Sequence, residues 1–269
     1  MDRYAVIGNP VSHSLSPEIH ARFAASLGES IEYRHLLAPA GEFATTAQRF
    51  FDAGGRGANV TLPFKLDAFA FAAKASPRAR LAGAANFLAL RAGVVEADNT
   101  DGVGLVTDLV RNIGIDLHGR RIAILGAGGA VRGVVGPLLG ERPSALLIVN
   151  RTAQRAVELA ASFESLGPIE ACAIADLPAR GCSLVINATS SSTRGEALEL
   201  PEGLLAPGVF AYDMAYGPAA KPFLDRARAA GARAFDGLGM LVEQAAESYY
   251  LWRGARPFTR TVLEELRRR

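Results

Sequence analysis

The stretch "RIAILGAGGAVRGVV" (Arg121–Val135) places an apolar run directly before a glycine-rich turn and a helical pattern. This order of strand, glycines and helix is the context that a dinucleotide-binding loop requires. Gly126, Gly128 and Gly129 allow the backbone to turn sharply and approach a pyrophosphate, and the helix N-terminus adds oriented N–H groups. The third glycine of the GxGxxG pattern is absent, since Val131 occupies that position. A tight strand-to-helix turn without a ligand is the alternative.

The residues after the next strand favour NADP over NAD. NAD-specific sites carry an Asp or Glu about 20 residues beyond the glycine loop, where it binds the ribose 2′-hydroxyl. This chain instead has Asn150, Arg151 and Thr152, followed by Arg155 one helical turn later. A carboxylate would repel a 2′-phosphate, whereas a guanidinium pairs with it. We therefore predict NADP(H) as the cofactor.

Strand-like and helix-like runs alternate along almost the whole chain, which is typical of α/β proteins with mainly parallel sheets. We predict an N-terminal α/β substrate-binding domain over residues 1–102 and a Rossmann-type NADP-binding domain over 103–236. The helical pattern of residues 237–269 is expected to return to the first domain. The first helix is expected to have Ser16 as its N-cap and to end at Gly28.

Composition excludes several classes of protein. The 269 residues include 29 basic and 27 acidic side chains, a formal net charge of +2, without the long basic runs of nucleic-acid surfaces. No signal-peptide pattern opens the sequence, and no run approaches the roughly 18 apolar residues of a membrane span. We therefore expect a cytoplasmic protein that binds neither nucleic acid nor membranes. The oligomeric state, monomer or homodimer, stays open.

Neither a disulfide nor a metal site is expected. Cys172 and Cys182 are ten residues apart, without a CxxC spacing or neighbouring histidines. His13 and His20 form no ligand spacing with another metal-binding residue, and we interpret both as surface residues or as neighbours of a site. The run that begins at Asn59 matches a glycosylation acceptor, but that modification requires secretion.

An Asn-x-Thr pattern ends three apolar strand-like runs, beginning at Asn59, Asn150 and Asn187. In open α/β sheets, ligands bind beyond the carboxyl ends of the strands. Asn and Thr also begin turns well, so a purely structural role is the alternative for any one of them. Three occurrences at matched positions, together with the glycine loop, favour ligand binding.

Two further pairs of residues suit a small polar substrate. Ser14 and Ser16 precede a helical pattern, so two hydroxyls and a helix N-terminus converge where a carboxylate could bind. Lys65 follows the proline that stops one strand, and Asp101 ends another. A lysine and an aspartate paired there would suit proton transfer during hydride transfer. The simpler alternatives are a helix cap at Ser16, a solvated lysine and an Asp-Gly turn.

The motifs occur in one collinear series, with which the chain resembles the shikimate dehydrogenase family. The series is "GNPVSHSLSP", "GANVTLPFK", "DNTDG", "GAGGA", "NRT", "NATS", "DMAYGP" and "DGLGMLVEQAA", and it covers almost the full length. The resemblance implies an NADP-dependent oxidoreductase that reduces 3-dehydroshikimate to shikimate, a reversible step of aromatic amino-acid biosynthesis.

The resemblance also implies roles for individual residues. Lys65 would be the general acid/base, with Asp101 as its orienting partner. The other substrate-binding residues would be Ser14, Ser16, Thr61, Asn86, Tyr216 and Gln244. The cofactor-binding residues would be Gly126, Ala127, Gly128, Gly129, Ala130, Asn150, Arg151, Thr152 and Arg155, with Thr189, Met214 and Gly237 near the nicotinamide.

Three positions depart from the family pattern. Phe87 follows Asn86 where many members have Thr, Pro77 stands where several have an acidic residue, and Lys221 replaces a Thr. None of these changes removes a hydroxyl-binding or proton-transfer residue. A paralogue acting on quinate or a related ring stays open, as do a silent NADP-binding sensor and a folate-type dehydrogenase. The intact lysine and aspartate argue against the sensor, and the paired serines argue against the folate-type enzyme.

Overall fold

The computed structural model describes residues 1–189 and 199–268. The chain forms two compact units: unit 1 is Met1–Gly104 with Leu241–Arg269, and unit 2 is Leu105–Met240. It passes from unit 1 into unit 2 within one helix, and it returns to unit 1 within another. The first of these helices is Asp101–Thr107 and the second is Leu238–Arg253.

The strands of unit 1 form a mixed sheet in the order β2-β1-β3-β5-β6-β4. They are β1 (Asp2–Gly8), β2 (Ile31–Leu37), β3 (Gly55–Val60), β4 (Lys74–Ala75), β5 (Phe87–Arg91) and β6 (Val94–Asp98). β1 pairs in parallel with β2 and β3, whereas β5 is antiparallel to β3 and β6. The first helices are α1 (Ser16–Ser26), α2 (Phe43–Asp52), α3 (Lys65–Phe71), α4 (Pro77–Ala82) and α5 (Asp101–Thr107).

The strands of unit 2 form a sheet in the order β12-β11-β10-β7-β8-β9, with parallel pairing throughout the part that the structure describes. They are β7 (Arg121–Leu125), β8 (Ala145–Val149), β9 (Ile169–Ala171), β10 (Leu184–Asn187), β11 (Phe210–Asp213) and β12 (Arg233–Phe235). The later helices are α6 (Gly129–Gly140), α7 (Ala153–Ala161), α8 (Leu177–Arg180), α9 (Lys221–Ala229), α10 (Leu238–Arg253) and α11 (Thr259–Arg267).

Both faces of the unit 2 sheet are covered by apolar side chains. Ile122 and Ile124 of β7 belong to one buried core cluster, and Ala123 and Leu125 belong to another. Alternate residues of a strand point to opposite faces, so an uninterrupted apolar run is what a sheet covered on both sides requires. This is the doubly covered parallel sheet of a Rossmann-type domain, and the predicted α/β fold is confirmed.

The unit 1 sheet carries two different layers. Ile7 of β1 packs in a core cluster with Phe50 of α2, whereas Tyr4 of the same strand packs against Trp252 of α10 with ring centroids 4.6 Å apart. The Trp252 ring covers Gly57 of β3, where an added Cβ would lie 2.2 Å from the indole Nε1. A C-terminal helix therefore packs on the sheet of unit 1, as the sequence predicts.

Local boundaries differ from expectation in three places. Ser16 is already the first helical residue of α1, whose N-cap position is Leu15, so the predicted Ser16 cap is wrong. The C-terminal helical pattern is interrupted between α10 and α11, where Gly254 adopts a φ of +77°. Residues 108–113 continue α5 as a π-helix.

Among residues 1–189 and 199–268, no helix is both long and apolar enough to cross a bilayer.

Candidate active site

Lys65 and Asp101 form a buried ion pair in unit 1. Each is the first residue of a short helix, α3 or α5, and Lys65 Nζ lies 2.5 Å from Asp101 Oδ2. The Lys65 side chain is 12% exposed and that of Asp101 is 6% exposed. Charges attract more strongly where water is largely excluded, so the carboxylate holds the ammonium in one position. The two residues that the sequence pairs are therefore together in space.

Asn86 links this ion pair to Gln244, the substrate-binding residue that the sequence predicts in α10. Its Nδ2 lies 2.8 Å from Asp101 Oδ1, 2.9 Å from Thr100 Oγ1 and 3.2 Å from Gln244 Oε1. Its Oδ1 accepts a hydrogen bond of 2.7 Å from the backbone N–H of Thr100. Because buried polar groups with satisfied partners are rigid, Asn86 fixes the orientation of the Asp101 carboxylate. We call Lys65, Asn86, Thr100, Asp101 and Gln244 the unit 1 polar cluster.

The paired serines lie at the start of α1. Ser14 Oγ lies 3.1 Å from Ser16 Oγ and accepts a bond of 3.3 Å from the Ser16 N–H. The carbonyl oxygen of Ser14 contacts His35 Nε2 at 2.9 Å. The two hydroxyls therefore face one another, as the two-residue spacing predicts.

Two other predicted substrate residues are not members of the unit 1 polar cluster. Thr61 follows β3, its N–H donates to the Ile7 carbonyl at 2.9 Å, and its methyl group would lie 2.4 Å from a Cβ at Gly8. Gly8 is thus the residue that makes room for the Thr61 side chain. Tyr216 lies in unit 2, after β11, and is not part of the unit 1 polar cluster.

In unit 2 the predicted cofactor residues follow the carboxyl ends of neighbouring strands. Gly126 follows β7, Asn150 follows β8, Thr189 lies beyond β10, Met214 follows β11 and Gly237 lies beyond β12. Backbone hydrogen bonds of 2.7–2.9 Å connect three of these segments to the adjacent strand end. The five positions form a row along one edge of a parallel sheet, which is where ligands of such sheets bind.

The glycine loop fits a dinucleotide phosphate. Gly126 has a φ of +124°, and a Cβ there would lie 3.0 Å from the Ala188 carbonyl oxygen, so a side chain at this position would be strained. Gly128 is the N-cap of α6, and a Cβ there would meet nothing within 4 Å. Room above the loop and the N–H groups of the first helical turn are the features that hold a pyrophosphate.

The residues after β8 supply exposed positive charge. Asn150 Nδ2 donates to the Thr152 carbonyl at 3.0 Å, which shapes the turn into α7. The side chains of Arg151 and Arg155 are exposed and form no ion pair within the described part of the chain. Both guanidiniums are therefore available to a phosphate group.

Three family models match consecutive parts of the chain. They are the shikimate dehydrogenase substrate binding domain over residues 6–88, the shikimate / quinate 5-dehydrogenase model over 108–196 and the shikimate 5′-dehydrogenase C-terminal domain over 237–267. A "Shikimate dehydrogenase (NADP(+))" from Aromatoleum aromaticum is 53% identical, with 100% of this chain and 98% of that protein aligned. The chain belongs to the shikimate dehydrogenase family.

Solved structures give the same result. An Ael1 enzyme from Pseudomonas putida is 43% identical with a TM-score of 0.92, covering 99% of this chain and 98% of that one. The shikimate 5-dehydrogenase from Thermus thermophilus, solved in complex with NADP(H) and shikimate, is 34% identical with a TM-score of 0.88, covering 100% and 99%. The two-domain fold with a Rossmann-type domain is therefore shared with members of the family.

The three departures from the family pattern have distinct surroundings. The Phe87 ring is buried and stacks on Trp252 with centroids 5.1 Å apart, so it belongs to the aromatic layer between the sheet and α10. Pro77 is the first residue of α4, next to Ser76, which caps that helix. Lys221 is exposed on α9, where it pairs with Asp225.

The three Asn-x-Thr segments make different contacts. Asn150 bonds within its own turn, and Asn187 Oδ1 accepts from the N–H and the hydroxyl of Thr189 at 3.1 and 2.8 Å. Asn187 Nδ2 also donates to Asp213 Oδ2 of β11 at 2.8 Å. Asn59 instead accepts from the Tyr33 hydroxyl at 2.8 Å and donates to Ser248 Oγ at 2.9 Å. Turn contacts therefore occur in two of the three segments, and one of these two, that of Asn187, also bonds to a neighbouring strand.

Sequence reasoning missed two residues that contact the predicted ones. Thr100 and Ser248 are both fully buried and both hydrogen-bond to members of the unit 1 polar cluster. Ser248 follows Gln244 by four residues in α10, and residues at this spacing share a helical face. That spacing is the signal in the sequence that could have found it.

His20, expected at the surface or beside a site, lies in the interior. His20 is fully buried and stacks on Tyr33 with ring centroids 4.3 Å apart, so a surface position is wrong. Burial lowers the pKa of His20 to about 3, because a charged imidazolium at this position would lose its hydration. Cys172 and Cys182 are free thiols, and burial raises the pKa of Cys182 to about 11. Within the described ranges, no group of three or more His, Cys, Asp or Glu residues could hold a metal ion.

Proposed function

We propose that this chain catalyses the reversible, NADPH-dependent reduction of 3-dehydroshikimate to shikimate. The observation that carries the proposal is the buried Lys65–Asp101 pair, with Nζ 2.5 Å from Oδ2, held in place by Asn86. The relative from Aromatoleum aromaticum that is 53% identical is named for this activity, and the Thermus structure contains NADP(H) and shikimate.

The reduction of a ketone adds a hydride to carbon and a proton to oxygen. Bound NADPH would supply the hydride. The Lys65 ammonium would donate the proton to the carbonyl oxygen, and in the reverse direction the amine would take it from the alcohol. Asp101 would keep Nζ in position, and its own second oxygen is held by Asn86 at 2.8 Å.

The same unit offers groups that suit the remainder of the substrate. The facing hydroxyls of Ser14 and Ser16 would bind the carboxylate, and Tyr216 of unit 2 is proposed as a further donor to it. Thr61, Asn86 and Gln244 would bind the ring hydroxyls beside Lys65 and Asp101. Hydroxyl and amide groups discriminate well between related polyols, because an unmatched buried polar group is costly.

We infer that unit 2 binds NADP. Its loop residues Gly126–Ala130 would hold the pyrophosphate at the start of α6. Asn150, Arg151, Thr152 and Arg155 would surround the adenosine 2′-phosphate, and Thr189, Met214 and Gly237 would lie near the nicotinamide. Unit 1 is then the substrate-binding domain and unit 2 the cofactor-binding domain. We further propose a cytoplasmic location, which the two free thiols support.

A spectrophotometric assay with purified protein tests the proposal. NADPH oxidation is measured with 3-dehydroshikimate, and NADP⁺ reduction is measured with shikimate and, separately, with quinate. We expect turnover of the shikimate pair in the range of roughly 1–10³ s⁻¹ that is common for enzymes. Faster turnover of quinate would reassign the substrate, and no turnover of any of these compounds would support a cofactor-binding sensor instead.

A further inference from the structure

We infer that Ser248 is a positioning residue for the unit 1 polar cluster, an inference that rests on the proposed function. Ser248 lies in α10, one turn after Gln244, and is fully buried. Its Oγ contacts the Gln244 carbonyl oxygen at 3.0 Å, Asn59 Nδ2 at 2.9 Å and Thr100 Oγ1 at 3.2 Å. One hydroxyl thus connects strand β3 and the segment between β6 and α5 with helix α10.

The direction of these hydrogen bonds follows from the number of protons available. A serine hydroxyl donates once and accepts twice. Its proton goes to the Gln244 carbonyl, the usual back-bond of a helical serine. The two remaining positions on Ser248 Oγ therefore accept from Asn59 Nδ2 and from the Thr100 hydroxyl.

This arrangement determines the hydrogen bonds of Asn86. With its only proton directed at Ser248, Thr100 Oγ1 acts as an acceptor for Asn86 Nδ2 at 2.9 Å. The second proton of Asn86 Nδ2 is bound to Asp101 Oδ1 at 2.8 Å. Both amide protons of Asn86 are then used within the protein.

As a consequence, the side-chain oxygen of Gln244 remains available as a hydrogen-bond acceptor. Its Nε2 donates to the Leu241 carbonyl at 2.8 Å, and its Oε1 has only long contacts, 3.2 Å to Asn86 Nδ2 and 3.4 Å to Thr100 Oγ1. Both donors, Asn86 Nδ2 and Thr100 Oγ1, have other acceptors at shorter distances. Gln244 Oε1 can therefore accept a hydrogen bond from a hydroxyl of the substrate.

Removal of the Ser248 hydroxyl would disrupt this arrangement of hydrogen-bond donors and acceptors. Asn59 Nδ2 would keep only its 3.3 Å contact with the Asn86 carbonyl. The Thr100 proton would turn to Gln244 Oε1 or to Asn86 Oδ1 and would compete with the substrate for an acceptor. Ser248 thus acts on substrate affinity through its neighbours in unit 1.

The test is the steady-state kinetics of Ser248→Ala and Ser248→Thr, with melting temperatures measured in parallel. We expect S248A to raise KM for shikimate about 10-fold, the effect of losing roughly one hydrogen bond, and to leave KM for NADP⁺ within about twofold. S248T retains the hydroxyl and should restore most of the affinity. Ser26→Ala is the control, since Ser26 donates to the Phe23 carbonyl of α1 at 2.8 Å and lies outside the cluster.

The Thr100→Val variant tests the same inference independently. It can be measured even if S248A does not fold. It should raise KM for shikimate similarly, and the effect of S248A/T100V should be less than the sum of the two single effects, because both substitutions remove the Thr100–Ser248 hydrogen bond. An unchanged KM in S248A, or equal rises for shikimate and NADP⁺, would overturn the inference while leaving the function intact. If the wild-type protein does not turn over shikimate, both the inference and the proposed function are overturned.

Discussion

The residues proposed for the substrate and those proposed for the cofactor are organised in opposite ways. In unit 1, Lys65, Asp101 and Asn86 are nearly buried and bond to one another at 2.5–2.8 Å. In unit 2, Arg151 and Arg155 are exposed and without ion pairs to the described residues. The first group is preorganised by the protein, whereas the second depends on a ligand to order its side chains.

This difference has an energetic consequence. Residues that share hydrogen bonds couple to one another, so their substitutions are not additive, while substitutions of separate side chains add. Variants in the unit 1 polar cluster should therefore act as a group, and variants of the two arginines should act one by one. The following predictions test that contrast, from the largest expected effect to the smallest.

Lys65→Ala should lower kcat by about 10³-fold, because the proton donor is lost, with a smaller change in KM for shikimate. Asp101→Asn should lower kcat as well, and the double variant should be little worse than Lys65→Ala alone. Steady-state assays in both directions measure this. The matched control is Lys221→Ala, which also removes an ion-paired lysine, but an exposed one. Near-normal kcat in Lys65→Ala would exclude its catalytic role.

Arg151→Ala and Arg155→Ala should each raise KM for NADP⁺ about 10-fold, and the double variant about 100-fold, because each loses a charged contact with the 2′-phosphate. KM for NAD⁺ should not change. The measurement is the ratio of kcat/KM for the two cofactors, and Arg111→Ala, another exposed arginine of unit 2, is the control. A cofactor preference that survives in the double variant would contradict this assignment.

His20 makes the stability of unit 1 depend on pH. Its pKa is lowered to about 3 in the folded protein, so only the unfolded chain takes up a proton as the pH falls below about 6.5. Stability is therefore full above pH 6.5 and decreases toward pH 3, by about 2 kcal/mol between pH 7 and pH 5. Urea unfolding at several pH values measures this decrease.

His20→Phe should flatten that profile, since a phenyl ring can keep the stacking on Tyr33 without titrating. His13→Ala removes an exposed histidine and should leave the profile as in the wild type. An identical pH dependence in His20→Phe would show that other groups cause it.

Tyr212→Phe should destabilise unit 2 by about 1 kcal/mol. The Tyr212 hydroxyl donates to Asp108 Oδ2 at 2.8 Å, and both side chains are fully buried, so the carboxylate would lose one of its donors. Urea unfolding measures the change, with Tyr250→Phe as the exposed control. Unchanged kinetic constants would show that buried contacts of unit 2 support its fold and not its cofactor residues. A variant as stable as wild type would contradict the prediction.

Much of the fold and part of the site could be predicted because they follow from local patterns. The apolar run, the glycines and the helical pattern after Arg121 are enough to predict a strand, a turn and a helix. The carboxyl ends of parallel strands share one edge of a sheet, so the placement of Gly126 and Asn150 along that edge could also be predicted. Lys65 and Asp101 were found in the same way, as charged residues that follow strands.

Other features depend on contacts between distant parts of the chain. Three Asn-x-Thr segments look alike in the sequence, yet Asn59 reaches Ser248 of α10, which is 189 positions away, whereas Asn150 bonds to the Thr152 carbonyl of its own turn. Likewise His20 has the sequence surroundings of a surface residue and is buried beneath that same helix. The sequence by itself determined the sheets, the glycine loop and the candidate charges, because these follow from periodicity and residue type. Only the tertiary structure decided which polar side chains share protons, because that depends on how α10 packs on the sheet of unit 1.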